Sequence, residues 1–254
     1  MINTNLEDAN LEGANLEDAI CSQNTKFPKG FDPIQAKILM LAPYASLTAI
    51  DLSGLNLSGL NLTGANLTEA NLINSILRSA DLTQSKLSQS NLSKTDLNYA
   101  KLLQANLMAA NLSGASLHQA NLTAANLESA NLMQSDLTGA NLAAARLVGA
   151  NFKNAKLSDV MFSGANLVGV NFLGVSLENL NLSGADLSCA NLCGSDLTEA
   201  NLTNSNLTSA DLRGANLSKA NLEKANLKGA RLEGAILEGA NLTGAIMPDG
   251  TTHE

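Results

Sequence analysis

The sequence predicts an all-β solenoid, in which one short extended segment and one tight corner repeat along the whole chain. Three observations predict it. A period of five residues runs without a break from Leu47 to Leu242, and its 40 central positions are Leu at 37 and Phe at three. The 254 residues are 45% hydrophobic but only 3% aromatic, which indicates a packed core of small side chains. Of the 19 glycines, 17 lie two residues after a central position.

Each five-residue unit reads A-(N/D)-L-x-x, with a small residue two positions before the central Leu and usually Asn or Asp directly before it. Residues two apart on an extended segment point the same way, so the small residue and the Leu face inward and the Asn faces outward. The last two residues then form the corner. A glycine there suits the third residue of a type II turn, which needs a positive φ.

The composition argues against several functional classes. Two His, three Cys and two Tyr leave few catalytic bases, nucleophiles or metal ligands, so we expect no enzyme and no cofactor. A net charge of -8 argues against direct binding of nucleic acid. The longest unbroken apolar run, from Ile38 to Ala42, is far shorter than a membrane span, and no signal segment opens the chain. We therefore expect a cytoplasmic protein without membrane contact.

The repeat is interrupted near the N-terminus. Leu6, Leu11 and Leu16 are central positions that lie one residue out of phase with the main array. We therefore divide the chain into a first partial coil (1–19), a non-repeat excursion (20–44), the continuous array (45–247) and a C-terminal tail (248–254). Within the excursion, Asp32 followed by Pro33 is a helix-start signal and predicts a short α-helix over about 33–42. That helix would either cap apolar surface or serve as a docking or dimerisation element.

The A-(N/D)-L-x-x units resemble those of the pentapeptide-repeat family over nearly the whole chain. The resemblance implies a right-handed quadrilateral β-helix with four units to a coil and about 11 coils. Residues 26–33 (KFPKGFDP) and 244–250 (GAIMPDG) are also similar to segments of cyanobacterial members. Some members are linked to the regulation of cell differentiation, and others act on DNA gyrase by imitating the DNA duplex.

Four units to a coil would place residues twenty apart above one another, so the outward residues can be sorted into four faces. One face is modestly acidic and contains Asp96, Asp136, Asp159, Glu178, Asp196 and Glu199. About 11 coils would span ~53 Å and need roughly 30 charges to imitate B-DNA, far more than this face has. Two neighbouring faces expose apolar residues in the middle of the array, namely Met108, Val148, Val168, Leu103 and Met161.

The three aromatic central residues, Phe152, Phe162 and Phe172, occur together with enlarged inward neighbours such as Val160 and Leu180. We interpret them as core packing and not as a ligand site. The sequence thus predicts a non-catalytic interaction scaffold for an unknown protein partner, with the apolar residues as the candidate interface. We expect a monomer or weak dimer. The alternative function is a DNA-mimicking binder of DNA gyrase or topoisomerase.

Overall fold

The computed structural model describes all 254 residues and shows a stack of coils. From Ser46 to Ile246, the residue before each central position forms a parallel bridge with the residue twenty positions later, as Ser46 does with Asn66, with the single exception of Lys156 and Ser176. Each coil of the array therefore contains four five-residue units. Longer pairing occurs only at β1 (Ile20–Ser22) and β2 (Leu39–Leu41), which are parallel with Ile20 opposite Leu39.

Three backbone hydrogen bonds per unit hold neighbouring coils together. The N–H of Leu112 donates to Asn131 in the next coil (2.8 Å), the N–H of Gly114 donates to Met133 (2.9 Å), and the N–H of Asn111 donates to Ser90 in the previous coil (2.9 Å). Most backbone polar groups in the array thus have a partner even though no long strand exists. This pattern explains why a chain of single bridges forms a stable stack.

The outward Asn residues have a structural role of their own. The Oδ1 atom of Asn111 accepts a hydrogen bond from the backbone N–H of Ser113 (3.1 Å), which fixes the corner that follows. The same Oδ1 accepts from the side-chain amide of Asn131 one coil later (3.3 Å). Asn and Asp recur at this position because they close the corner, and Asn can also link the coils.

The core is a single cluster of 65 buried residues that runs from Leu41 to Ala245. Central Leu side chains and the small residues two positions before them fill the interior, and most of them are fully buried. Because residues of one coil lie above those of the coil before, identical Leu side chains stack along each face. The alternation predicted for each unit is therefore confirmed by burial.

The corners adopt left-handed backbone whether or not they contain glycine. Gly114 has a φ of 65°, and the alanines at the equivalent corner position, Ala109, Ala124 and Ala144, have φ values of 56°, 55° and 56°. A hydrogen bond to the next coil fixes this conformation, as from the Ala124 N–H to Ala143 (2.9 Å). The coil geometry, and not the residue type, sets the sign of φ, so alanine there is strained.

Ala124→Gly is expected to raise the free energy of unfolding by about 0.5 to 1 kcal/mol, because glycine adopts a positive φ without steric cost. The neighbouring Ala125→Gly is the matched control. Ala125 is buried in the extended part of the unit, so its replacement is expected to lower stability by about 1 kcal/mol. Urea denaturation followed by circular dichroism measures both changes. Equal destabilisation by the two variants would contradict the strain at residue 124.

The α-helix predicted over about 33–42 is not present. The predicted start does form, since the N–H groups of Ile34 (2.8 Å) and Gln35 (3.3 Å) donate to Asp32 Oδ1. The segment then makes one turn and stops at Lys37, whose φ is 53°. The N-terminal signal was correctly read, but the prediction of a helix from it was wrong.

Two hydrogen bonds show why the turn ends there. The N–H of Ile38 donates to Pro33 (3.0 Å), and the N–H of Lys37 donates to Ile34 (3.0 Å). These are the paired bonds of a Schellman motif around a left-handed residue. The chain leaves this motif directly into β2, where pairing with β1 uses the backbone groups that a longer helix would need.

The two ends of the stack differ in construction. At the N-terminal end, Asn5 bridges to Lys26, and β1 pairs with β2, so the segment between the early units and the array lies against the coil before it. At the C-terminal end, Ile246 forms an antiparallel bridge with Thr252, and the tail folds back onto the last coil. The structure contains no helix that is long and apolar enough to cross a membrane.

Candidate functional site

The predicted apolar residues do lie on two adjacent faces of the stack. Met108 and Met161 are the most exposed of them, with 40% and 41% of their surface accessible. Leu103, Val148 and Val168 are half-buried. Met108, Val148 and Val168 follow central positions in one column, because coils repeat every twenty residues. We call these five residues the apolar patch.

An ion pair that the sequence analysis missed divides the apolar patch. Glu128 lies in the same column, between Met108 and Val148, and its Oε1 accepts hydrogen bonds from Nη2 (2.6 Å) and Nε (3.0 Å) of Arg146. The twenty-residue register contains the signal, because Glu128 is one coil after Met108. A partner at this surface would therefore meet apolar side chains on both sides of a charged pair.

The predicted acidic residues do not form a uniformly negative surface. Asp96 pairs with Arg78 (2.9 Å), and Asp136 with Lys156 (3.2 Å). Glu199 also forms an ion pair, with Lys219 (3.0 Å). Three of the six predicted acidic residues thus have a cationic neighbour, which weakens the field that this face presents.

Threonine side chains form hydrogen bonds to two of these carboxylates. The Thr138 hydroxyl donates to Asp136 (2.7 Å), and this bond, with the Thr138 N–H and Lys156, lowers the pKa of Asp136. The Thr198 hydroxyl donates a hydrogen bond to Asp196 (2.6 Å). These contacts are the corner-closing bonds of the repeat, so they indicate structural roles for these acids.

Like Asp196, Asp159 and Glu178 have no ion-pair partner. Both line a cavity of about 390 Å³ together with Lys156 and Ser176. A second cavity of about 410 Å³ adjoins it and is lined by residues that include Lys153 and Leu173. Both cavities lie between the same two coils. No cluster of three or more His, Cys, Asp or Glu side chains is arranged to hold a metal ion.

The largest pKa shift in the molecule belongs to Asp211, which is not among the predicted site residues. Arg213 donates to both carboxylate oxygens, at 2.8 and 2.6 Å, and these bonds lower the pKa of Asp211 to about 2. Arg231 adds a weaker contact at 3.8 Å. Because the pKa of Asp211 is lower in the folded protein, the ionised carboxylate stabilises the folded state. This contribution is fully present above the unfolded pKa of about 3.9 and is lost as the pH falls towards 2.

Arg213→Ala is expected to raise the pKa of Asp211 towards about 3.9, because the largest contribution to the shift is the side-chain bond from Arg213. Carbon NMR titration of the Asp211 carboxyl measures it. Arg231→Ala is the control and is expected to raise the pKa less, because its contact is longer. A larger effect of Arg231→Ala would contradict the assignment.

Comparison with known families and structures gives one consistent result. The family model described as pentapeptide repeats matches residues 1–23, 45–84, 75–114, 176–214 and 210–247, and the one described as a pentapeptide repeat region matches 105–182. No protein among those with curated functions matches the sequence. The solved structures supply the relatives.

HetL, a pentapeptide repeat protein involved in heterocyst differentiation regulation from the cyanobacterium Nostoc sp. Strain PCC 7120, is 38% identical. The match covers 83% of this chain and 92% of HetL, with a TM-score of 0.60. Rfr23 from the cyanobacterium Cyanothece 51142 is 30% identical over 45% of this chain and 85% of its own, with a TM-score of 0.24. Full-length QnrB1, a plasmid-mediated fluoroquinolone resistance protein, is 19% identical over 77% and 92%, with a TM-score of 0.31.

Proposed function

Because the chain belongs to the pentapeptide-repeat family, we propose that it is a non-catalytic, cytoplasmic scaffold that presents the rigid faces of a right-handed quadrilateral β-helix of about 11 coils to a protein partner. The observation that carries this proposal is the apolar patch. Met108 and Met161 expose apolar side chains at positions where most other units of the array carry polar residues. Exposed apolar groups of this kind are typical of protein-binding surfaces.

The similarity to HetL supports a regulatory role. HetL is involved in the regulation of heterocyst differentiation, and the match covers most of both chains. We propose that this protein likewise acts by binding another protein and without chemistry of its own. The Glu128–Arg146 pair would then contribute orientation, since a charged pair inside an apolar surface favours a partner with complementary polar groups there.

The double variant Met108→Glu/Val148→Glu is expected to weaken partner binding by more than about 30-fold, because it places charges where apolar contact is required. Thr68→Glu/Thr208→Glu is the matched control, since both residues lie in the same column two coils beyond the patch on either side. Quantitative affinity capture with the wild type and both variants is the measurement. If the patch variant retains the same partners as the control, the patch is not the interface.

The alternative, a DNA-mimicking binder of gyrase, has weaker support because Asp96, Asp136 and Glu199 are each paired with a cation. We expect no inhibition of gyrase supercoiling and no protection from quinolones at micromolar protein. Inhibition that is lost in Asp159→Asn/Glu178→Gln would instead establish mimicry through these two acids, which have no ion-pair partner.

A further inference from the structure

The hydrogen bonds between coils are continuous through the array except at one place. Between Leu47 and Gly229, every donor to the following coil has its partner apart from five consecutive ones. Three donors to the preceding coil lack theirs in the same region. The backbone N–H groups without a partner in the adjacent coil belong to Gly149, Phe152, Asn154, Leu157, Asp159, Asn171, Ser176 and Asn181.

The opening separates two coils that are otherwise well bonded. On the N-terminal side of the opening, the Leu137 N–H donates to the Lys156 carbonyl (2.9 Å). On the C-terminal side, the Leu177 N–H donates to the Asp196 carbonyl (2.7 Å). Asp136 bridges to Lys156 and Ser176 to Asp196, but the bridge that should join Lys156 to Ser176 is missing. The break is therefore confined to a single level of the stack.

Only half of that level is open. On the two faces that carry the apolar patch, Leu147 still donates to Asn166 (2.8 Å) and Phe162 to Asn181 (2.9 Å). On the other two faces the backbone hydrogen bonds from Phe152 to Asp159 are missing, although the bridge from Asn151 to Asn171 remains, so the opening centres on Lys156 and Ser176. We call this opening the inter-coil cleft. It is opposite the apolar patch, and the bonded half holds the two coils together.

The aromatic central residues explain the location. Phe152 and Phe172 lie above one another in adjacent coils with ring centroids 5.5 Å apart and nearly parallel planes. Neighbouring strands in a ladder are only about 4.7 to 4.9 Å apart. Phe162 packs against both rings from the opposite side, at 6.1 and 6.2 Å. Stacked rings at this spacing therefore favour a larger separation of the two backbones than the ladder spacing, next to the place where the bonds are missing.

The cleft offers backbone groups that an extended chain could satisfy. The N–H groups of Asn154, Leu157 and Asp159 lie on one lip. The opposite lip carries the carbonyls of Leu173 and Ser176, which accept no bond from the coil below. An extended peptide presents donors and acceptors at the same spacing, and such strand addition is a common mode of peptide binding.

The side chains at the two ends of the cleft have opposite charges. Lys153 has no acidic partner and lines the 410 Å³ cavity with Leu173, whose surface is 60% exposed. Asp159 and Glu178 line the 390 Å³ cavity and have no ion-pair partner. Lys156, between them, is engaged by Asp136 at 3.2 Å. The charge of the side chains without an ion-pair partner therefore changes from positive at Lys153 to negative at Asp159 and Glu178.

We infer that the inter-coil cleft binds an extended peptide segment of a protein partner, parallel to the coils, with an acidic residue at Lys153, an apolar residue at Leu173 and a basic residue at Asp159 and Glu178. The parallel direction follows from the stack, in which successive coils pair in parallel. This inference refines the proposed scaffold function by adding a second surface, and it does not depend on the apolar patch.

The test uses the full chain and a fluorescein-labelled synthetic peptide of β-branched residues. The peptide carries a glutamate followed by a leucine. A lysine lies six residues after the glutamate, which is the spacing between Lys153 and Asp159. The control peptide has the glutamate and the lysine exchanged. Fluorescence anisotropy is expected to show binding in the micromolar range, at least about tenfold tighter for the first peptide. Hydrogen exchange at Leu157 is expected to slow when that peptide binds.

Lys153→Glu is expected to weaken binding at least about tenfold, whereas Lys94→Glu, the same change beside closed coils, leaves it unaltered. Met108→Glu/Val148→Glu is also expected to leave peptide binding unaltered, which separates this site from the patch. Absence of binding up to millimolar peptide, equal binding of both peptides, or equal effects of the Lys153 and Lys94 variants would overturn the inference. So would unchanged exchange at Leu157 in the presence of bound peptide, which would mean that the peptide binds outside the cleft.

Discussion

Leu112→Asp is expected to lower the free energy of unfolding by more than about 4 kcal/mol and to disrupt the centre of the stack. The Leu112 side chain is fully buried in the core, among central Leu side chains of its own and neighbouring coils. Replacing it removes apolar packing, leaves a cavity and places a carboxyl where no donor is available. Each coil contacts only its neighbours, so damage at one level interrupts the sum of coil interfaces that stabilises the whole.

Asn111→Asp is the matched control, because it also introduces an aspartate, at the preceding residue, whose side chain faces outward. Asp occupies this position at Asp96 and Asp136, where its Oδ1 closes the corner as Asn does. We expect a change of less than about 0.5 kcal/mol. Urea unfolding monitored by circular dichroism compares the two. A similar loss in both variants would show that the direction of the side chains has been misassigned.

The repeat itself was readable from the sequence because one rule governs every unit. The inward direction of residues such as Leu112 and Ala110 follows from alternation within an extended segment, and both are fully buried. The number of units per coil did not follow from the period. It entered through the family resemblance, and the bridge from Ser46 to Asn66 gives the twenty-residue register directly.

The N-terminal interruption was harder because its signals are local. Asp32 and Pro33 start one turn as readily as a full helix, and nothing nearby marks the end. The turn ends because Lys37 adopts a positive φ and Leu39 joins β2. Leu39 pairs with Ile20, and the Lys37 carbonyl accepts from the Asp18 N–H (3.1 Å), so both residues contact the preceding coil, which no pattern within residues 33–42 encodes.

The candidate site was only partly predictable for a similar reason. The exposure of Met108 and Met161 follows from their outward positions, and the structure places them as expected. The pairing of Glu128 with Arg146 links residues 18 apart in sequence, so it emerges only when columns are examined residue by residue. We attribute the inter-coil cleft to a competition between ring stacking and backbone hydrogen bonding, which a pattern of residue types does not quantify.

That competition leads to the prediction with the largest effect on local dynamics. Phe152→Leu/Phe172→Leu replaces the two stacked rings with the residue found at the other central positions of the same face. Without rings 5.5 Å apart, the coils are free to approach to the ladder spacing of about 4.8 Å and to form the missing bonds. Hydrogen exchange at the Leu157 amide is then expected to slow by roughly 100-fold or more, towards the rate of Leu137.

Phe162→Leu is the matched control, because Phe162 lies on the opposite side and its own N–H already donates to Asn181 (2.9 Å). If ring stacking along one column holds the coils apart, this variant leaves exchange at Leu157 fast. If total core volume is responsible instead, Phe162→Leu slows exchange as much as the double variant does. The two outcomes assign the opening either to one pair of rings or to the whole enlarged core. In the first case the two stacked phenylalanines control access to the peptide cleft.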